Sequence, residues 1–314
     1  MEPRQGAAPR CRRDDETIVN QAEPVKPEIS VIIPTYNRCA MAAEAVASVM
    51  AQRGVAFELI VADDGSTDGT IDRLRERFAD GFVAAAEASR RGPAAARNRG
   101  VAIARAEFVA FLDSDDLWMP GKLARQLAFM REHPGCAIAQ TQELWLRDGR
   151  RVNPGLRHRK RSGDIFADSL RTCLVSPSAV MMKRELFEAA GGFDENLAAC
   201  EDYDLWLRLL VDHEVGLLDE PLVIRRAGHP DQLSASTPAL DRFRIVTLLK
   251  LMQMPALGAS RRDAVAEVLA EKCLIYANGL ARRNKFAEAD HYKTLARRAM
   301  GGSQVTSGQA AITQ

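Results

Sequence analysis

The sequence of 314 residues is most informative at first through what it lacks. No stretch approaches the roughly 18 to 20 consecutive apolar residues of a membrane-spanning helix, so no membrane span is expected. The six cysteines (Cys11, Cys39, Cys136, Cys173, Cys200, Cys273) include no CxxC pair and no histidine framework beside them. That scatter argues against a zinc scaffold or a disulfide framework, and for reduced thiols. Charge of one sign is also missing: 43 Lys and Arg face 42 Asp and Glu, a formal net charge of +1. A nucleic-acid binder ordinarily carries a basic surplus, so no nucleic-acid partner is expected. The first residues, MEPRQGAAPRCRRDDE, contain no apolar core of a secretory signal. A cytoplasmic protein is the expectation.

What is present is globular, with 46% hydrophobic residues. Residues 1–27 are rich in Pro and charge and read as a flexible tail. From Ile29 the texture becomes periodic. Strands are expected at Ile29–Ile33, Phe57–Ala62, Phe82–Ala86 and Phe108–Leu112, alternating with helices at Ala42–Met50, Ile71–Phe78, Ala94–Ala104 and Pro120–Glu132. Such alternation implies an α/β fold with a mostly parallel central sheet. Beyond Cys136 the spacing predicts a strand to Leu146, a basic loop over Arg147–Gly163, one helix over Asp202–Val211 and a strand over Val215–Arg225. Residues 237–300 read as a helical extension and residues 301–314 as a polar tail.

In open α/β sheets ligands bind beyond the carboxyl ends of the strands. The first strand ends in Pro34-Thr-Tyr-Asn-Arg38, without the GxGxxG of a dinucleotide site, and no GxxxxGK[ST] phosphate loop occurs anywhere. Carboxylates stand there instead. The second strand runs into Asp63-Asp64-Gly65-Ser66-Thr67-Asp68, composed of residues that also suit a tight turn and a helix cap. The fourth runs into Asp113-Ser114-Asp115-Asp116. Three carboxylates within four residues repel one another unless donors or a cation offset them, and a hard divalent ion with oxygen ligands, Mg²⁺ or Mn²⁺, would do so.

Taken in order, ISVIIPTYNR, ELIVADDGSTDGT, RGPAAARNRGVAIARAEFVAFLDSDDLWMPGKL and GGFDENLAACEDYDLWLRL resemble glycosyltransferase family 2, over residues 28–236. The resemblance implies the GT-A fold and an inverting, metal-dependent transfer from a nucleotide-sugar, a UDP-sugar, to an acceptor hydroxyl. It places Pro34, Thr35, Tyr36, Asp63, Asp64, Arg97, Asn98, Asp113 and Ser114 around the nucleotide-sugar, Asp115 on the metal and Asp116 behind it. It makes Asp202 the general base, with Glu201 as the alternative. His229 falls where family members carry a histidine near the diphosphate or metal, with Arg225 and Arg226 as weaker phosphate ligands. The acceptor it implies is a glycan or a lipid-linked sugar in bacterial surface-glycan synthesis.

The same residues also admit plainer explanations. Glu201, Asp202 and Asp204 lie in one helical turn, where the helix dipole favours carboxylates by about 0.3–1 kcal/mol each. Trp118 and Trp145 read as packing before sugar stacking. The basic segment from Arg147 to Arg161 reads as solvated, with contact to anionic lipid at the inner face of the membrane as the alternative. Two rival functions remain: a sugar nucleotidyltransferase, which would need a glycine-rich loop after the first strand, and a catalytically silent binding relative.

Overall fold

The structure, a computed structural model, describes residues 26–228 and 237–301. Within them the chain builds one nine-stranded sheet flanked by helices. Strand β1 (Ile29–Thr35) is buried along its whole length, as its β-branched run requires of a strand covered on both faces. It pairs in parallel with β2 (Phe57–Asp63) and with β4 (Phe108–Phe111), and β3 (Val83–Ala86) pairs in parallel with β2 at the edge. Helices α1 (Cys39–Met50), α2 (Thr70–Phe78) and α3 (Pro93–Ala102) make the crossovers. Gly100 of α3 is where that helix meets the sheet: a Cβ there would lie 2.6 Å from Ile32.

The second half is mixed. Strand β5 (Leu117–Trp118) is followed by α4 (Lys122–Glu132), β6 (Ile138–Arg147) and β7 (Arg150–Val152). Then come α5 (Phe166–Arg171), β8 (Val180–Lys183), α6 (Arg184–Ala189), α7 (Glu201–Leu210) and β9 (Gly216–Ala227). Strand β8 inserts antiparallel between β4 and β6, β9 runs parallel to β6, and β5 closes the far edge against β9. Sequence periodicity anticipated neither β8 nor the short helices α5 and α6, because each spans only four to six residues.

The segment expected as a basic loop opens as a hairpin, with Trp145 opposite Val152 and Arg147 opposite Arg150. Its turn is Asp148-Gly149, both at positive φ (50° and 72°). Two left-handed residues in a two-residue connection match the right-handed twist of the strands, which is why Asp-Gly is found in such turns.

Helices α8 (Asp241–Gln253), α9 (Ala259–Ala281) and α10 (Phe286–Met300) do not stand apart. Ile245, Leu248, Val265 and Leu269 share one core with Phe111, Phe193 and Trp206. At the junction the buried Asp204 of α7 accepts Lys250 Nζ at 2.8 Å, Thr247 Oγ1 at 3.2 Å and, within its own helix, Arg208 Nε at 2.9 Å. No described helix is long and apolar enough to cross a membrane.

One core residue conflicts with its surroundings. Lys122, at the start of α4, is fully buried, its amine 3.9 Å from the centre of the Trp118 ring and without a hydrogen-bond partner. Burial pushes its pKa well below the ordinary lysine value. The unfolded chain therefore binds the proton more tightly, so stability rises with pH between the depressed value and about 10.4. Lys122→Met should stabilise the protein at pH 7 by about 1–3 kcal/mol and flatten that rise. Urea melts at pH 7 and pH 9.5 test this; an unchanged pH dependence in the variant would contradict the assignment.

Candidate active site

The carboxyl ends of β1, β2 and β4 and the first turn of α7 meet at one edge of the sheet, and loops bonded to one another shape it. Asp63, at the end of β2, accepts the Ser66 amide at 2.9 Å and also the Ser66 hydroxyl. The buried Asp64 accepts the amides of Arg91 at 2.8 Å and Gly92 at 2.8 Å, tying the loop after β2 to the one after β3. Gly65 sits at the crossing, with φ of 80°, where a Cβ would come within 3.0 Å of the Ser89 carbonyl carbon. After β1, Asn37 accepts the Thr67 amide at 2.8 Å, and its own amide donates to Ser66 Oγ at 2.8 Å. The turn explanation of the first acidic cluster therefore describes the bonding of Asp63, whereas Asp64 serves a contact between two loops. Pro34 and Thr35 are buried at the strand end, with the Thr35 hydroxyl unpartnered. Tyr36 projects further, with the Arg90 guanidinium 4.4 Å above its ring centre.

The second cluster is different. One carboxylate oxygen from each of Asp113, Asp115 and Asp116 lies within 4.8 Å of the others. Asp116 is buried and engaged, accepting Ser178 Oγ at 2.7 Å and the Arg226 amide at 2.9 Å. Burial, with Asp115 and Asp113 beside it, drives its pKa well above the usual carboxylate range. Asp113 and Asp115 are more exposed. An all-oxygen donor set of this kind fits a hard cation such as Mg²⁺ or Mn²⁺ and not a soft one. Ser114 is buried between them. Arg38 reaches Asp115 from the loop after β1 at 3.1 Å.

Arg97 links this cluster to the second acidic group. Its guanidinium is buried, with one nitrogen 2.7 Å from Asp113 Oδ1 and another 2.7 Å from Glu201 Oε1. Burial opposes its charge, but Asp113 and Glu201 outweigh that and raise its pKa. Glu201 in turn is buried, and burial pushes its pKa up against the pull of Arg97. Asp202 is only half-buried. Its Oδ1 accepts the Tyr203 amide at 2.7 Å, and the Cys173 thiol lies 3.8 Å from Oδ2. The left-handed Cys200, φ 63°, turns the chain into this helix.

The structure thus joins Asp113, Asp115, Arg97, Glu201 and Asp202 in one edge. Asn98 is directed elsewhere: its side chain donates to the Phe193 carbonyl at 2.9 Å and accepts the Phe193 amide at 2.9 Å, clamping the turn before α7. Arg226 braces the cluster from behind, donating to the Asp115 carbonyl and pairing with Glu44 of α1. His229 lies outside the described residues. Sequence reasoning gave no role to Arg38 or Glu143. An arginine in a loop and a glutamate in a strand carry no local pattern, and only the tertiary fold reveals their partners.

Because Glu201 is desolvated, removing its partner costs more than the pair contributes. Arg97→Met should lose about 3–5 kcal/mol of stability, and adding Glu201→Gln should recover part of it. Denaturant titrations measure both; a double variant no more stable than the single one would show that the two groups are not coupled.

A sequence-family model described as glycosyl transferase family 2 matches residues 30–191, just over half of the chain. The putative teichuronic acid biosynthesis glycosyltransferase TuaG of Bacillus subtilis is 35% identical over 189 residues, 59% of this chain and 73% of its own length. The UDP-Glc:alpha-D-GlcNAc-diphosphoundecaprenol beta-1,3-glucosyltransferase WfgD of Escherichia coli is 29% identical over 217 residues, covering 69% of this chain and 81% of its own. A Rickettsia conorii glycosyltransferase, RC0461, is 34% identical over 195 residues, 62% of this chain, but this chain spans only 32% of it. In fold, the Staphylococcus aureus TarS 1-349 structure superposes with a TM-score of 0.65 at 19% identity, over 87% of this chain and 83% of that one. Pyrobaculum calidifontis PcManGT, in complex with GDP-Man and Mn²⁺, gives 0.54 at 22% identity, over 87% and 84%. With its sheet order, its acidic strand ends and this match, the chain has the GT-A fold and belongs to glycosyltransferase family 2.

Proposed function

We propose that this glycosyltransferase is an inverting enzyme that moves a sugar from a nucleotide-sugar, a UDP-sugar, to an acceptor hydroxyl. The carrying observation is the Arg97 bridge, which sets the Asp113–Asp116 cluster and the α7 carboxylates on one cleft edge. The donor assignment draws on TarS, solved in complex with UDP-GlcNAc, and on WfgD, whose name states a UDP-Glc donor. Pro34, Thr35, Tyr36, Asp63 and Asp64 line the nucleoside end, where Tyr36 and Arg90 offer a ring and a cation.

Asp115 and Asp113 are the residues to hold Mn²⁺ or Mg²⁺, which when bound would act as a Lewis acid on the departing diphosphate. Arg38 balances the Asp115 charge from the nucleotide side. Arg225, not Arg226, offers its side chain to the diphosphate, because Arg226 is already bonded to Asp115 and Glu44. Asp202 takes the proton of the acceptor hydroxyl. Glu201 suits that task less well, since its carboxylate is buried against Arg97.

The acceptor is a glycan or a lipid-linked sugar in bacterial surface-glycan synthesis, following the names of TuaG and WfgD. A peripheral contact with an anionic membrane fits the β6–β7 hairpin and the segment after it, where Arg147, Arg150, Arg151 and Arg159 are exposed around Leu156, itself 86% exposed.

Asp202→Asn should keep nucleotide-sugar binding and lose turnover by about 10²–10⁴-fold. Donor hydrolysis and transfer assays with Mn²⁺ measure this, and a near-normal rate in the variant would remove the base assignment. Replacing Arg150, Arg151 and Leu156 by Glu should abolish co-sedimentation with vesicles containing anionic lipid. Unchanged sedimentation would remove the membrane contact.

A further inference from the structure

Two buried ionised groups have no part in the reaction as proposed. Glu143 lies on β6 and Lys160 on the segment after the basic hairpin, their side chains 3% and 5% exposed and 3.2 Å apart. Lys160 Nζ also donates to Ser176 Oγ at 2.9 Å, and the Ser176 hydroxyl donates to the same Glu143 oxygen. The other Glu143 oxygen accepts Trp145 Nε1 at 2.9 Å. Burial alone would raise the pKa of Glu143, but Lys160 and Arg225 overcome it and bring it down to about 2. Both of its oxygens are engaged by these donors. A buried ion pair is also a poor source of stability, because desolvation offsets most of its attraction.

The purpose of the cluster shows at its remaining neighbour. An Arg225 nitrogen stands 3.8 Å from Glu143 Oε2, and the guanidinium lies 4.7 Å from the centre of the Trp145 ring. Trp145 and Arg225 are register partners across β6 and β9, so strand pairing sets the stack. One residue on, the Arg226 amide is bonded to Asp116, which places Arg225 at the edge of the acidic cluster. Besides Glu143, the carboxylates acting on Arg225 are Asp116, Asp113 and Asp202. Its side chain is 37% exposed and donates no hydrogen bond to any described residue. Arg225 is therefore a guanidinium paired with Glu143 and stacked on Trp145, within electrostatic reach of Asp113, Asp116 and Asp202.

We propose that Glu143, backed by Lys160 and Ser176, is a positioning residue that fixes Arg225 for the diphosphate of the nucleotide-sugar. The inference rests on the glycosyltransferase function proposed above and adds to it the element that preorders its phosphate ligand. A cation already fixed in its bound position loses little freedom when the anion arrives. Because Lys160 belongs to the basic segment, the same cluster also fastens that segment to the cleft.

A double-mutant cycle tests the claim. UDP binding is measured by calorimetry with Mn²⁺ present, alongside donor KM and kcat, for the wild type, Glu143→Gln, Arg225→Ala and the double variant. Glu143→Gln should weaken UDP and raise donor KM by about 10-fold, yet add less than about 2-fold once Arg225 is absent. Glu143→Asp, which keeps the charge, should recover part of the affinity. Losses that multiply in the double variant, or wild-type UDP affinity in Glu143→Gln, would overturn the proposal. If Glu143→Gln does not fold, Ser176→Ala takes its place in the cycle, with a smaller loss that must likewise vanish without Arg225. A wild type that binds neither UDP nor GDP would remove the nucleotide-sugar function and this inference together. Binding by the wild type without coupling in the variants would remove this inference alone.

Discussion

The buried guanidinium of Arg97 is the constraint on which the cleft depends. Asp113 follows β4 and Glu201 opens α7, two elements far apart in the chain, and Glu201 loses its water when the fold forms around it. Two like charges brought that near a third acidic group would force the elements apart. A planar cation with forked donors satisfies both at 2.7 Å, and it stays charged where a buried lysine would tend to lose its proton. Its place on α3, packed onto β1 through Gly100, makes the bridge a property of the central sheet rather than of a loop.

Around that bridge, carboxylates do two kinds of work. Asp63 and Asp64 spend their oxygens on loop groups and so give the loops after β2 and β3 their shape, while Asp116 is held behind its neighbours by Ser178 and Arg226. Asp115, paired with Arg38, and Asp202 are less deeply buried. The division follows burial: a desolvated carboxylate must collect donors and becomes structural, and a partly hydrated one keeps its contact with solvent.

Much of this was legible in the sequence, and the reasons are local. Uninterrupted apolar strands ending in Asp-Asp and in Asp-Ser-Asp-Asp announce an α/β sheet with acids at its carboxyl edge, because strand period and turn chemistry act over a few residues. The helix at Asp202–Val211 could be read for the same reason, and its Trp206 and Leu209 do face the core. What escaped was set at long range. Strand β8 is four residues without alternation, recognisable only by the neighbours it separates. The Asp-Gly turn at 148–149 was a local signal, but the arginines around it hid the hairpin. Glu143 and Lys160 each look like an ordinary surface charge until the fold buries them together.

The first turn of α7 sends its three acids to three parts of the chain. Glu201 answers to the sheet through Arg97, Asp202 stays half-buried beside Cys173, and Asp204 is anchored to Lys250 and Thr247 of α8. The C-terminal helices are thus mechanically in series with the group that would accept the proton. One helical turn is thereby clamped from two sides, by the central sheet and by the C-terminal helices.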